Sequence, residues 1–155
     1  MFTVQIDFIS AERFGISYAD SDGSRRAPVV VHRSSIGCFE RTMAFLIEHL
    51  EGRFPCWLAP VQIVLLPGAE QHLSTVESLC AKLLDAEIRV EVDGRNETLS
   101  RRIREARLLR APFWGVVGEK ESQANSISLH DAENGKRFTL SVEALIDLVK
   151  ARAPL

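Results

Sequence analysis

The side chains best equipped to act on a ligand are concentrated between Arg95 and Arg110, where six arginines stand against two glutamates. Clustered guanidinium groups neutralise phosphates, and the same density also suits a solvated helix face, so charge alone leaves both readings open. Leu99, Ile103 and Ala106 recur at the spacing of one helix face, which sends Arg101 and Arg104 to the opposite side. Asn96, just ahead of them, carries an amide that both donates and accepts, and Glu121 further on carries an acceptor carboxylate. A second set lies near the beginning: Gln5, His32 and the adjacent pair Glu40-Arg41. On a helix, Glu40 and Arg41 diverge by about 100°, and a bare Glu-Arg dipeptide reads equally as a surface ion pair. Gln5 by itself also fits the polar face of a strand. The histidines and the three cysteines, Cys38, Cys56 and Cys80, show no Cys-x-x-Cys or His-x-x-x-His spacing. A catalytic zinc needs three protein ligands, so the chain alone is not expected to hold a metal.

The elements that must position these residues follow from apolar periodicity. Thr3 to Phe8, Gly15 to Ala19 and Ala27 to His32 read as strands, with a turn at Asp22-Gly23. Phe39, Met43, Leu46, Ile47 and Leu50 place a helix over Cys38 to Leu50, with Ser34 and Ser35 as candidate caps. Gly52, Pro55 and Pro60 break regular structure, which sets a domain boundary at about residue 58. Beyond it, Val61 to Leu66, Ile88 to Val92, Phe113 to Val117, Ser126 to Leu129 and Arg137 to Leu140 read as strands. Helices are expected over Ala69 to Ala86, Glu97 to Leu109 and Ser141 to about Ala151, the last ending before Pro154. The first of these has Leu73, Val76, Leu79, Cys80, Leu83 and Leu84 as its inner face. This β-α-β-α-β order predicts an α/β fold, a sheet with flanking helices, over residues 59–155. Residues 1–58 have strands dense enough in apolar side chains for burial on both faces but only one helix to cover them, so they read as an excerpt of another domain.

Composition bounds the function. With 46% hydrophobic and 26% charged residues in a chain of 155, this is a globular protein with one good core and part of a second. No apolar run spans a membrane and no signal-peptide pattern opens the chain, so the cytoplasm is the expected compartment, with the cysteines reduced and packed. A net charge of -2 gives no global attraction for nucleic acid, and any RNA contact must come from a local patch. No membrane or DNA partner is expected.

The order of short motifs along the chain resembles class II aminoacyl-tRNA synthetases, and within them threonyl-tRNA synthetases, from motif 3 into the anticodon-binding domain. The resemblance rests on Val4-Gln5-Ile6-Asp7-Phe8, Pro28 to His32-Arg33, Ile36-Gly37, Glu40-Arg41, Ile47-Glu48-His49 and Phe54-Pro55. It continues through Trp57-Leu58-Ala59-Pro60-Val61-Gln62, Ile88-Arg89-Val90, Arg95-Asn96-Glu97, Ile103-Arg104-Glu105-Ala106 and Val117-Gly118 with Lys120-Glu121. It implies that residues 1–58 are the strand-and-helix remnant of an antiparallel catalytic domain and residues 59–155 an anticodon-binding domain with a mixed β-sheet.

By the same resemblance, Arg41 and Gln5 would act in the catalytic ATP and adenylate pocket, and His32 would be one of three zinc ligands. Asn96 would read the anticodon with Glu121, while Arg95, Arg101 and Arg104 hold RNA. ATP and zinc belong to the full-length family; motif 1, motif 2 and the other two zinc ligands lie outside this sequence. The segment alone is therefore expected to bind threonine tRNA without aminoacylating it, and to hold neither cofactor. The rest of a synthetase or a second copy, as a homodimer, would be its protein partner. Four positions depart from the family pattern: Leu129-His130 where the family ends a strand with an arginine that helps hold the anticodon, a bidentate fork that a histidine cannot supply, Glu87 and Ser100 at glycine positions, and the bulky Trp114. An alternative of another class is a non-catalytic paralogue that docks on a protein through the strands at Phe2 to Phe8 and Ala27 to His32. A related fold reading another anticodon, such as that for proline or glycine, fits these motifs less closely. The RNA reading requires Arg101, Arg104 and Arg107 to be displayed together and not tied up in internal salt bridges.

Overall fold

In the computed structural model, which describes residues 3–153, the chain forms two compact units, Met1–His49 and Leu50–Leu155. Phe2 of the proposed docking strand and the helix-stopping Pro154 lie outside the described residues.

The first unit contains β1 (Thr3–Asp7), a single-turn α1 (Ser10–Arg13), β2 (Tyr18–Ala19), β3 (Arg25–Arg26), β4 (Val30–Ser34) and α2 (Phe39–His49). β1 pairs antiparallel with β4, and β2 with β3, as two separate ribbons. Ser34 caps no helix N–H; its Oγ accepts from Gly37 N at 2.9 Å and fixes the turn before α2. The expected burial of these strands is not what the fold delivers. Ala11 is the one buried residue among those described in this unit, and Ile6, Phe8 and Phe39 are 61%, 69% and 76% exposed. Cys38 is also exposed, contrary to its reading as a packing residue.

The second unit runs β5 (Ile63–Pro67), α3 (Leu73–Asp85), β6 (Val90–Val92), α4 (Leu99–Leu108), β7 (Phe113–Val117), α5 (Glu119–Gln123), β8 (Ser126–Asp131), β9 (Arg137–Ser141) and α6 (Val142–Arg152), with a 3-10 turn at Glu70–His72 before α3. The sheet order is β6-β5-β7-β8-β9. The first three strands are parallel, and β8 and β9 add on antiparallel. The α/β mixed sheet with flanking helices is thus the observed architecture.

Alternation along the strands divides two cores. Ile63, Leu65, Phe113, Val117, Ile127 and Leu129 pack with Val76, Leu79 and Leu83 of α3 and Val142, Leu145 and Val149 of α6. On the other face, Val64, Leu66 and Trp114 pack with Ala106, flanked by Leu99 and Ile103 of α4. Leu84, expected on the inner face of α3, is 54% exposed, because the buried stripe is the narrower Val76, Leu79, Leu83 set.

The division between units falls at residue 49, ahead of the expected boundary at 58. Polar bonds, from buried to exposed, tie the intervening segment to the second unit. Gln62 Nε2 donates to the Cys56 carbonyl at 2.9 Å, and its Oε1 accepts from Arg89 N at 2.9 Å. Arg89 donates through Nε to the Ala59 carbonyl and through Nη2 to that of Trp57, at 2.8 and 2.9 Å.

Candidate functional site

Helix α4 is anchored by its own cap and by a buried arginine. Thr98 occupies the N-cap, its Oγ1 accepting from Arg101 N at 3.4 Å. Arg102 is 5% exposed, and its Nη1 and Nη2 donate to the Asp93 and Pro67 carbonyls, both at 2.9 Å. This guanidinium therefore holds the carboxyl end of β5 and the loop after β6 against α4. Gly94 in that loop lies against α3, where a Cβ would meet Leu73 Cδ1 at 2.9 Å.

The loop presents Asn96 exposed. Its neighbour Arg95 is engaged inward, with Nε and Nη2 on the two Asp93 carboxylate oxygens at 2.8 and 2.7 Å and Nη2 also on Glu105 at 2.6 Å. Arg101 pairs with Glu97 at 2.8 Å and Glu105 at 3.1 Å. These hydrogen bonds and charges hold the Asp93 and Glu105 carboxyls below their ordinary range. Arg95 and Arg101 thus brace the loop and the start of α4, whereas Arg104, Arg107 and Arg110 have no carboxylate partner among the described residues. The display expected of Arg101, Arg104 and Arg107 together is therefore not met in full: Arg101 is held in internal ion pairs, and of the three only Arg104 and Arg107 are exposed without a carboxylate partner among the described residues. Glu121 is committed in part, its Oε2 accepting from Gly118 N at 3.1 Å to cap α5.

Past α4 the sheet is open. Strand alternation puts Ser126, Ser128 and His130 of β8 and Arg137, Thr139 and Ser141 of β9 on the α4 side, and the last three are exposed. Trp114 is the direct cross-strand neighbour of His130, and their rings stack with centroids 4.6 Å apart and planes at 11°. The Arg107 guanidinium lies over Trp114, 5.3 Å from the ring centroid. Two departures from the family pattern therefore contact each other. A cleft of about 980 Å3 opens there, lined also by Leu50, Arg53, Phe54 and Arg110. Arg102 and Arg110 were visible beforehand only within the six-arginine count, and Trp114 and His130 only as departures from the family pattern, with no sign that their rings stack.

In the first unit, Gln5 and His32 are cross-strand partners and line one shallow hollow with Asp7. His32 Nε2 lies 3.6 Å from Asp7 Oδ2. Asp7 also accepts from the Ser10 hydroxyl and from the Ser10 and Ile9 amides, which hold its carboxyl far below the usual range. No group of three or more His, Cys, Asp or Glu suited to a metal occurs among the described residues. His32 and Asp7 offer two donors at most, so these residues do not by themselves make a catalytic zinc site. Arg41 is exposed on α2 with no hydrogen bond or ion pair among the described residues.

Residues 61–152 match the family model described as "Anticodon binding domain". A threonine–tRNA ligase from Clostridium botulinum (strain Eklund 17B / Type B) is 45% identical over 147 residues, which cover 95% of this chain and 23% of that protein. One from Chlorobium limicola is 46% identical over 148 residues, covering 96% and 22%. A crystal structure of the RNA-binding domain of threonyl-tRNA synthetase from Cryptosporidium parvum Iowa II superposes with a TM-score of 0.76. It is 30% identical and covers 97% of this chain and 38% of that one. The chain spans about a quarter of the length of the curated relatives it matches.

Proposed function

This chain belongs to the anticodon-binding domain family, and from that membership we propose that it recognises the anticodon stem-loop of a threonine tRNA for a threonine–tRNA ligase. The observation that carries this reading is that Arg104, Arg107 and Arg110 are exposed and without carboxylate partners among the described residues, on and just after the helix whose amino end follows the exposed Asn96. Exposed arginines neutralise phosphates, and an amide on a braced loop reads a base edge. Glu121 keeps one carboxylate oxygen beyond its cap bond for a base amino group. Arg95 and Arg101 act as positioning residues for that loop.

Aminoacylation falls to residues outside these 155. Gln5 and Arg41 are single parts of an ATP pocket and His32 one of three zinc ligands, so this chain alone holds neither ATP nor zinc. No helix among the described residues is long and apolar enough to cross a membrane, and the cytoplasm is the proposed compartment.

A titration of the full chain with a threonine tRNA transcript, at several salt concentrations and with the anticodon bases exchanged, tests the reading. Binding should weaken with salt and with base exchange, and Asn96→Ala should remove the preference while retaining most of the affinity. Equal binding to every RNA would reduce the site to a basic patch, and no binding would end the proposal.

A second reading is favoured by one observation, the exposed apolar side chains of β1 and β4. Ile6 and Val31 are 61% and 59% exposed on directly paired strands, a surface that suits docking on the remainder of a synthetase or a second copy.

A further inference from the structure

Arg101 is held in a way that the anchoring of α4 does not require. The Thr98 cap and the Arg102 bonds to the Asp93 and Pro67 carbonyls already fix the start of the helix. Arg101 stands at the surface with its side chain 59% exposed, yet the residues four positions before and after it are both carboxylates that pair with it. Its Nη1 donates to Glu97 Oε1 at 2.8 Å and its Nε to Glu105 Oε1 at 3.1 Å. Glu105 Oε2 accepts from Arg95 Nη2 at 2.6 Å, and Arg95 also donates to both oxygens of Asp93. Exposed pairs of this kind contribute little to stability. Their consequence is electrostatic.

Across the loop and the first turns of α4, the carboxylates of Asp93, Glu97 and Glu105 close on the two guanidinium groups of Arg95 and Arg101, so this end presents no net positive charge. Arg104, Arg107 and Arg110 follow at three-residue steps with no carboxylate partner among the described residues. A phosphate is therefore drawn to the carboxyl end of the helix and not to its amino end. The exposed Asn96 lies at the neutral end. Attraction between guanidinium groups and phosphates is blind to sequence, and an arginine left open beside Asn96 would add binding that no base decides. Discrimination requires that such contacts be withheld from wrong partners as well as made with right ones.

We propose that Glu97 and Glu105 are specificity-determining residues of the RNA site: by pairing with Arg101 they keep phosphates off the first turns of α4. The RNA backbone is then held at Arg104, Arg107 and Arg110, and the base met by Asn96 decides whether binding is tight. The inference deepens the anticodon reading above and rests on it. Authentic RNA is committed to one register by its base contact and has no phosphate to place on Arg101. RNA with the wrong bases has no such commitment and would use any cation left open.

The test uses the full 155-residue chain, a threonine tRNA transcript and the same transcript with its anticodon bases exchanged, each titrated at several salt concentrations. Glu97→Gln/Glu105→Gln removes both charges but keeps an acceptor oxygen for Arg101, and Arg95 keeps its bonds to Asp93. The exchanged transcript should bind this variant about fivefold or more tighter than it binds the unsubstituted chain. Its salt dependence should steepen by roughly 0.7–0.9 in log K against log salt, the mark of one further phosphate contact. The authentic transcript should gain less than about twofold. Adding Arg101→Gln to the same variant should return the exchanged transcript to its original affinity. Glu77→Gln/Asp147→Asn makes the same change in net charge on the exposed faces of α3 and α6 and should leave the preference unchanged.

Equal tightening of both transcripts would show that the two carboxylates act through net charge alone, and would overturn the proposal while leaving the anticodon reading intact. Unchanged affinities, or weaker binding of both transcripts, would overturn it in the same way, because the pairs would then serve only to hold the loop. Failure of Arg101→Gln to reverse the gain would show that Arg101 is not the masked cation. An unsubstituted chain that binds both transcripts equally would defeat the anticodon reading itself, and this inference with it.

Discussion

Asp131 shows how a single side chain in the second unit sets pH sensitivity. It is fully buried at the end of β8. Burial works to raise its pKa, but the Arg152 guanidinium at 2.6 Å and the Glu133 amide at 3.0 Å outweigh it and hold the carboxyl below its ordinary 3.8. A carboxylate depressed in the folded state contributes stability that is complete above its unfolded pKa and is lost as pH falls through the folded one. Asp131→Asn is therefore expected to lower the unfolding free energy at pH 7 by about 2–3 kcal/mol, less than a fully buried pair because Arg152 is partly exposed. The deficit should shrink below pH 4, so urea melts of the two proteins converge in acid; parallel curves would show that the pair contributes nothing. The residue scale is also where the sequence was hardest to read. Arg102 follows Arg101 and precedes Arg104 in an identical chemical alphabet, yet one is buried on carbonyls, one is ion-paired and one has no carboxylate partner among the described residues. Charge count registers six arginines and cannot separate a strut from a contact, because that distinction depends on which carbonyls and carboxylates arrive from β5 and residues 93–97.

Helix ends and strand edges decide the local conformations at the next scale. Glu87 adopts φ 64° after α3, with its N–H on the Leu84 carbonyl at 2.9 Å and that of Ile88 on the Leu83 carbonyl at 3.0 Å. This is a left-handed helix stop, a position where a Cβ costs about 1 kcal/mol and glycine costs little. Glu87→Gly is expected to raise stability by about 0.5–1 kcal/mol, visible as a midpoint higher by several degrees in a thermal melt. A lower midpoint would mean that the glutamate makes a compensating contact. The position was legible beforehand only as a departure from the glycine that the resembled family carries at this corner. β7 was equally legible, its apolar run Phe113–Val117 bounded by Pro112 and Gly118. The five-residue α5 was not, because it has no apolar period and its start is marked only by the bond from Gly118 N to Glu121. The open α4 side of β8 and β9 was also hidden, since a strand with serines and a histidine on one face reads the same whether that face is solvated or holds a ligand.

At the scale of the whole molecule, the two units differ in how far they can stabilise themselves. The second buries Ile63, Leu65, Leu66, Phe113 and Leu129 completely between helices on both faces of its sheet. The first has two separate two-stranded ribbons and one longer helix, and Ala11 is its one buried residue among those described. Each fully buried aliphatic side chain is worth about 1.5–3 kcal/mol, and ordering each residue costs about 1–2 kcal/mol of backbone entropy. A two-stranded ribbon without a covered face cannot meet that cost in water. Amide hydrogen exchange on the full chain is therefore expected to show β1, β4 and α2 exchanging through local opening, far faster than β5, β7 and β8, which should exchange only on global unfolding. Residues 50–155 alone should then melt cooperatively at nearly the same midpoint as the full chain. A protein that docks on Ile6, Val31 and Phe39 would slow exchange in β1 and β4 selectively. Uniform protection across both units in the free chain would show that the first carries its own stability and that its apolar surface does not depend on a partner.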